Sequence, residues 1–321
     1  MLTEISKLEK FIGHTELVKL ESENLDLHCK LEFQNFMGSI KVRPAYYILR
    51  NSIESGLINK DTTVIESSSG NFAVALASIC KQIGIKFIPV IDPNINKSYE
   101  DFLNSFAFKT IKVSERDETG GYLLTRVRTI ENIVSEGGNY FWPNQYKNKN
   151  NFLAYYHSLG NEVGEEMNDL DYAFIGVSSG GTITGLSRRL KELYSKIKIV
   201  AVDIEGSMIF NQKPKKRFIP GIGSSKTPEI LKDALIDEVV HVSEIEAIES
   251  CYHLFDKHGI FGGGSSGASL AAIKNYFKDD TLTKKPKVLF LCPDSGTSYI
   301  NTIYNKEWVN KISEEHNLVI S

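Results

Sequence analysis

Short apolar runs alternate with amphipathic stretches along most of this chain, and that alternation limits the folds open to it. The runs Val64–Glu66, Lys86–Ile91, Lys109–Val113, Tyr172–Val177, Ile197–Ile204, Glu238–Val242 and Val288–Cys292 have the length and β-branched content of strands. Between them, Phe72–Gln82, Leu123–Ser135 and Ser243–Lys257 repeat apolar residues at helical spacing. Parallel strands need a long crossover, usually a helix, so an α/β class with helix-covered parallel sheets is expected.

The chain has 321 residues, enough for two domains or one large one. It shows no internal repeat and no Pro/Gly/Ser linker, so any two domains share a tight border. A hydrophobic share of 41% beside 24% charged residues is the balance of a globular protein. The net charge of -3 arises from 40 acidic and 37 basic side chains with no long block of one sign. Nucleic acid is not expected as a partner, since phosphate neutralisation needs a concentrated basic face. The nearest basic run, Lys213-Pro-Lys-Lys-Arg217, reads as a solvated loop.

Four dispersed cysteines without a CxxC pair give no disulfide framework. The seven histidines contain no HExxH, and His253 and His258, five apart, share no helix face, so no metal site is expected. The segment MLTEISKLEKFIGH lacks the basic start and apolar run of a signal peptide. No run reaches the ~18 apolar residues of a membrane span. The expectation is a cytoplasmic protein with no membrane partner.

Chemistry is expected where strands run through Ser and Gly into helices, because ligands bind at such turns. In Gly176-Val-Ser-Ser-Gly-Gly-Thr182, glycines admit close backbone approach, hydroxyls add donors and the helix start adds partial positive charge. Lacking the lysine and spacing of a P-loop, it suits a monophosphate better than a triphosphate. Glu66-Ser-Ser-Ser-Gly-Asn71 offers hydroxyls, an amide and free N–H groups to a carboxylate, although the same residues also serve as helix caps. Phe261-Gly-Gly-Gly-Ser-Ser-Gly267 fits both GxSxG and GxGxxG. The first needs a downstream histidine, and His316 is the sole one; the second belongs early in a chain. Lys41, in Gly38-Ser-Ile-Lys41-Val-Arg43, is unremarkable alone. Together with a phosphate cradle, a carboxylate turn and a late Ser turn, it completes what a pyridoxal 5'-phosphate (PLP) site requires.

These segments resemble the cysteine synthase / cystathionine β-synthase family of PLP enzymes, fold type II. Ile12-Gly-His-Thr-Glu-Leu-Val18 is similar to its "IGNTPLV", Ser39-Ile-Lys41-Val-Arg43 to "SxKDR", and Ser67-Ser-Ser-Gly-Asn71 to "TSGN". Asn144-Gln-Tyr146 is similar to "QQF", Ser178-Ser-Gly-Gly-Thr182 to "GTGGT", Gly264-Ser-Ser-Gly267 to "GISSG", and Pro293-Asp-Ser-Gly296 to "PDSG". The resemblance implies a two-domain, tryptophan synthase β-like fold of twisted parallel sheets. Residues 1–40 with 148–321 would form a large PLP-binding domain and 41–147 a small mobile substrate domain, in a homodimer.

It also implies roles. Lys41 would carry the cofactor and remove the Cα proton; Asn71 would bond the phenolic oxygen and Ser265 the pyridine nitrogen; Ser178, Ser179, Gly180, Gly181 and Thr182 would hold the phosphate. Ser68, Ser69, Gly70 and Gln145 would take the substrate carboxylate. Loss of the β-substituent would leave an α-aminoacrylate for a nucleophile to attack.

Within that family, Gly120–Arg126, Val202–Phe210, Pro220–Leu231 and Tyr304–Trp308 resemble synthases of N-(2-amino-2-carboxyethyl)-L-glutamate from siderophore (staphyloferrin B-type) diaminopropionate pathways. Those use O-phospho-L-serine and the amine of L-glutamate. A distal carboxylate calls for a further cation, and Arg126 with Tyr146 is the expected pair. The chain departs from the family at Val42, Ser68, Phe72-Ala73 and Ser178-Ser179, and the Phe72 ring is expected to reshape the pocket. Cysteine synthase proper, with O-acetylserine and sulfide, is the competing enzyme reading; a non-catalytic PLP- or amino-acid-binding regulator is the alternative of another class.

Overall fold

A computed structural model describes residues 1–278 and 284–315. Ten strands form two sheets: β1 Leu17–Leu20, β2 Asp26–Lys30, β3 Thr63–Ser67, β4 Lys86–Ile91, β5 Ile111–Lys112, β6 Tyr140–Phe141, β7 Tyr172–Gly176, β8 Lys198–Ile204, β9 Glu238–Val242 and β10 Lys287–Leu291. The helices are α1 Leu2–Ser6, α2 Val42–Glu54, α3 Asn71–Ile83, α4 Lys97–Phe106, α5 Leu123–Ser135, α6 Lys149–His157, α7 Leu159–Glu166, α8 Gly181–Leu193, α9 Glu244–His258, α10 Gly264–Tyr276 and α11 Lys306–Glu315.

The larger sheet runs β1-β2-β10-β7-β8-β9 and the smaller β5-β4-β3-β6. Every pairing is parallel except β1 with β2. Helices cover both faces of the larger sheet, so β8 is buried from Ile199 to Ile204 and is apolar there except for Asp203. One face packs on α9 and α10 through Ile248, Cys251, Leu270 and Ile273, the other on α7 and α8 through Val163, Leu186 and Leu190. In the smaller unit, α2 and α3 pack over Val64 and Phe87. Ile5 and Leu8, at the start of the chain, belong to that smaller core.

Local chemistry sets the ends of these helices. A capping box starts α9, with Ser243 accepting from the Glu246 N–H while Glu246 accepts from the Ser243 N–H. Its last turn closes on Gly259 at φ 66°, where a side chain would be strained.

All seven expected strands are present, the Lys109–Val113 run shortened to Ile111–Lys112, whereas β1, β2 and β6 were not foreseen. In β2, polar residues occupy three of five positions, and its buried lysine, Lys30, is compensated by Glu166 at 2.8 Å, Glu162 at 3.4 Å and the Thr15 carbonyl.

Candidate active site

Lys41 stands at the mouth of α2, held from both sides. Ser39 bridges Asp294, and the Ile40 N–H donates to Pro293 O at 2.8 Å, so the segment after β10 fixes the lysine's approach. Two residues on, Arg43 is 1% exposed, which only complete pairing makes tolerable. Its guanidinium donates to both oxygens of Glu32, at 2.6 and 2.7 Å, and both of Glu162, at 2.6 and 2.8 Å. Thr15 donates to Glu32 and Asn35 to the same carboxylate, extending the network to the chain's first turns.

The Lys41 amine donates to Ser179 Oγ at 3.4 Å. Burial pulls its pKa down to about 8, with the Asp294 carboxylate opposing that shift. An amine held there is partly neutral near physiological pH, which suits both imine formation and proton abstraction.

Ser179 lies in the turn between β7 and α8. Gly180 sits at φ 84°, open to glycine, and a Cβ on Gly181 would strike the Asn151 side chain. Ser178 and Thr182 flank these glycines, and the turn opens the 13-residue α8, whose first N–H groups have no partner within the helix. Across from it, Ser265 opens α10 with its Cβ 3.8 Å from the place a Cβ on Gly176 would take.

The third wall comes from the smaller sheet. Ser68 caps α3, accepting from the Ala73 N–H at 3.2 Å. Ser69 Oγ donates to Asp92 at 2.8 Å and accepts from Arg126 Nη1 at 2.6 Å. Asn71 donates to Asp294 Oδ2 at 2.7 Å and accepts from the Tyr99 hydroxyl at 2.5 Å. Tyr299 donates to the same Asp294 oxygen at 2.8 Å, while Asp294 Oδ1 is buried without a partner. Burial raises the Asp294 pKa, and the Tyr299 and Asn71 bonds and the Lys41 charge pull it back.

Lys41, the Ser178–Thr182 cradle, Asn71 and Ser265 thus meet at one place. Gln145 is buried beside Glu66, whose carboxyl burial pushes up to about 7 despite bonds from Trp142 and the Ser67, Gln145 and Asn144 backbone. Arg126 pairs with Asp92 at 2.8 Å behind Ser69, and its Nε is buried without a hydrogen-bond partner. The Phe72 expectation is corrected, since its ring is 2% exposed and packs in the smaller core instead of facing the site. Val42 lies fully in that core too. His316, the histidine a GxSxG reading would need, lies outside the described residues.

The protein-family profile "Pyridoxal-phosphate dependent enzyme" matches residues 8–294. The chain belongs to this family of pyridoxal-phosphate-dependent enzymes. An O-acetylserine dependent cystathionine beta-synthase from Helicobacter pylori is 28% identical, with TM-score 0.85 over 93% of this chain and 98% of that one. A hydrogen sulfide-producing enzyme from Fusobacterium nucleatum is 29% identical, with TM-score 0.84 over 91% and 98%. Another hydrogen sulfide-producing enzyme, solved with an alpha-aminoacrylate intermediate, is 28% identical, with TM-score 0.86 over 95% and 92%.

The residues fit the cofactor of this PLP enzyme. Gly180 takes a left-handed turn ahead of the α8 N-terminus, burial lowers the pKa of the lysine amine, and Ser265 presents a neutral hydroxyl. When bound, pyridoxal phosphate supplies the conjugated ring that delocalises the electron pair left at Cα. The chain's own residues would orient the substrate, and Lys41 Nζ would be the group that moves a proton. Among the described residues there is no cluster able to hold a metal and no helix long and apolar enough to cross a membrane. Asp294, Tyr99, Tyr299 and Asp92 escaped sequence reading; only Asp294 stood in a recognised motif, "PDSG", and there without a role.

Proposed function

We propose that this enzyme replaces the β-substituent of O-phospho-L-serine, or of O-acetylserine, with the amine of L-glutamate, giving N-(2-amino-2-carboxyethyl)-L-glutamate. The reading rests on one observation above others: a lysine amine with pKa about 8 placed 3.4 Å from the Ser179 hydroxyl of an anion cradle. Lys41 Nζ takes the Cα proton. Asn71, Ser178 to Thr182 and Ser265 hold the cofactor. The Ser68-Ser69-Gly70 turn and Gln145 bind the α-carboxylate, with Arg126 and Asp92 setting the Ser69 rotamer. A neutral serine opposite the ring leaves it a weaker electron sink than a carboxylate would, which favours loss of a β-substituent over transamination. Residues 41–147 act as the small mobile domain in this reading.

Purified protein is assayed with each serine ester against glutamate and against sulfide. Conjugate from glutamate, lost in Lys41→Ala together with the cofactor's visible absorbance, supports the proposal. Cysteine from sulfide with no glutamate product replaces it with the cysteine synthase reading, which the hydrogen sulfide-producing relatives favour. Full in vivo function of Lys41→Ala would instead point to a regulator.

A further inference from the structure

The basic run of the loop between β8 and β9 does not all face water. Lys215 and Lys216 are exposed and pair outward, with Glu205 at 2.9 Å and Glu315 at 2.8 Å. Arg217 turns in. It is half-buried, and among the described residues it forms no ion pair. Its donors reach only neutral acceptors at long range, Ile222 O at 3.3 Å and Ser225 Oγ at 3.4 Å. A partly buried guanidinium left so loosely satisfied carries a desolvation cost that an anion would relieve.

Its position adjoins the site. A Cβ on Gly223 would lie 2.5 Å from Arg217 Nη1, and the Gly223 carbonyl accepts from Ser178 Oγ of the cradle at 3.2 Å. Ser225 Oγ is 3.6 Å from where a Cβ on Gly121 would sit, so the guanidinium also borders the turn preceding α5. Burial raises the Tyr146 pKa while the charges of Arg126 and Arg217 both lower it, so both cations act on this hydroxyl. Of those two cations, Arg126 already spends its Nη1 on Asp92 and Ser69. Burial depresses the Arg217 pKa, and Asp203, Glu244 and Tyr146 work against it.

Resting on the glutamate reading above, we infer that Arg217, assisted by Ser225 and Tyr146, binds the distal carboxylate of the nucleophilic amino acid and sets its selectivity. The carboxylate becomes the fork's missing partner and turns the α-amine toward Lys41. Arg217 is a specificity residue; it moves no proton.

The test compares glutamate with glutamine, its neutral near-isostere, in the holoenzyme. Wild type prefers glutamate, and Arg217→Ala collapses the glutamate-to-glutamine ratio of kcat/KM by about 10- to 100-fold, the worth of a charge-assisted hydrogen bond pair. Arg217→Lys, which keeps charge without the fork, gives an intermediate ratio and guards against misfolding of the alanine variant. An unchanged ratio in both variants overturns the assignment while leaving the glutamate reading intact. So does a first half-reaction slowed with O-phosphoserine but not with O-acetylserine, since the guanidinium would then hold the leaving phosphate. A wild-type enzyme that uses sulfide and no amino acid removes both.

Discussion

Asn71 at the start of α3 and Asp294 beyond β10 are joined by a 2.7 Å hydrogen bond, which links the smaller sheet to the larger at the point where Lys41 emerges. Asp294 also accepts from Tyr299 and supports the Lys41 charge. Its carboxylate therefore does two jobs, one geometric and one electrostatic. Asp294→Asn keeps an acceptor in place but removes the charge that holds the lysine pKa up. The acid limb of the pH–rate profile should move to lower pH, by up to roughly one unit. A limb that stays put, measured over pH 6 to 10, would show that Asp294 is uncharged beside Lys41.

Arg43 is the anchor beneath the site. Replacing it with Ala leaves the buried Glu32 and Glu162 facing each other uncompensated, and should cost about 3–5 kcal/mol of stability. Urea unfolding of the cofactor-free protein reads this directly. A loss below about 1 kcal/mol would mean that water reaches the two carboxylates.

Glu66 sets a pH dependence of stability. Its folded pKa, about 7, exceeds the ordinary glutamate value of 4.5, so the native state binds the proton more tightly than the unfolded one. The protonated carboxyl contributes fully below about pH 4.5, and that contribution disappears as pH climbs through 7. Glu66→Gln cannot lose it. The variant should gain on wild type between pH 5 and pH 8, by about 2–3 kcal/mol in unfolding free energy. Parallel stability curves for the two proteins would contradict this.

Gly181 lacks the space for a side chain, because Asn151 fills it. Gly181→Ala should push the cradle open and weaken cofactor affinity by about tenfold or more. Titration of the cofactor-free protein with pyridoxal phosphate, followed by tryptophan fluorescence, gives the constant. Undiminished affinity would place the phosphate elsewhere.

The helix-covered parallel sheets were legible because buried parallel strands carry near-continuous apolar runs, as in Ile199–Val202. Strand β2 was not, since Asp26, His28 and Lys30 disguise it and the buried Lys30 is compensated in part by Glu166, 136 positions away. Lys41 and the three Ser/Gly turns were legible as chemistry through their local composition. Arg217 was read as part of a solvated run, because nothing within five residues distinguishes it from Lys215 and Lys216. Its inward turn depends on the Gly221 and Gly223 backbone, at φ 91° and 72°. The second role of Asp294 was equally hidden, since its partner Asn71 lies 223 positions earlier.

Strand β10 pairs with β2 on one side and β7 on the other, yet among the described residues it is the last strand in sequence. During synthesis, the centre of the larger sheet stays open until residues beyond Leu291 have left the ribosome, exposing two parallel edges to unwanted partners. The same late segment carries Pro293 and Asp294, which pin Ile40 and Ser39 next to the lysine. A nascent chain therefore carries Lys41 early but can fix its approach only once Pro293 and Asp294 have emerged, so this site is completed after most of both sheets has been made.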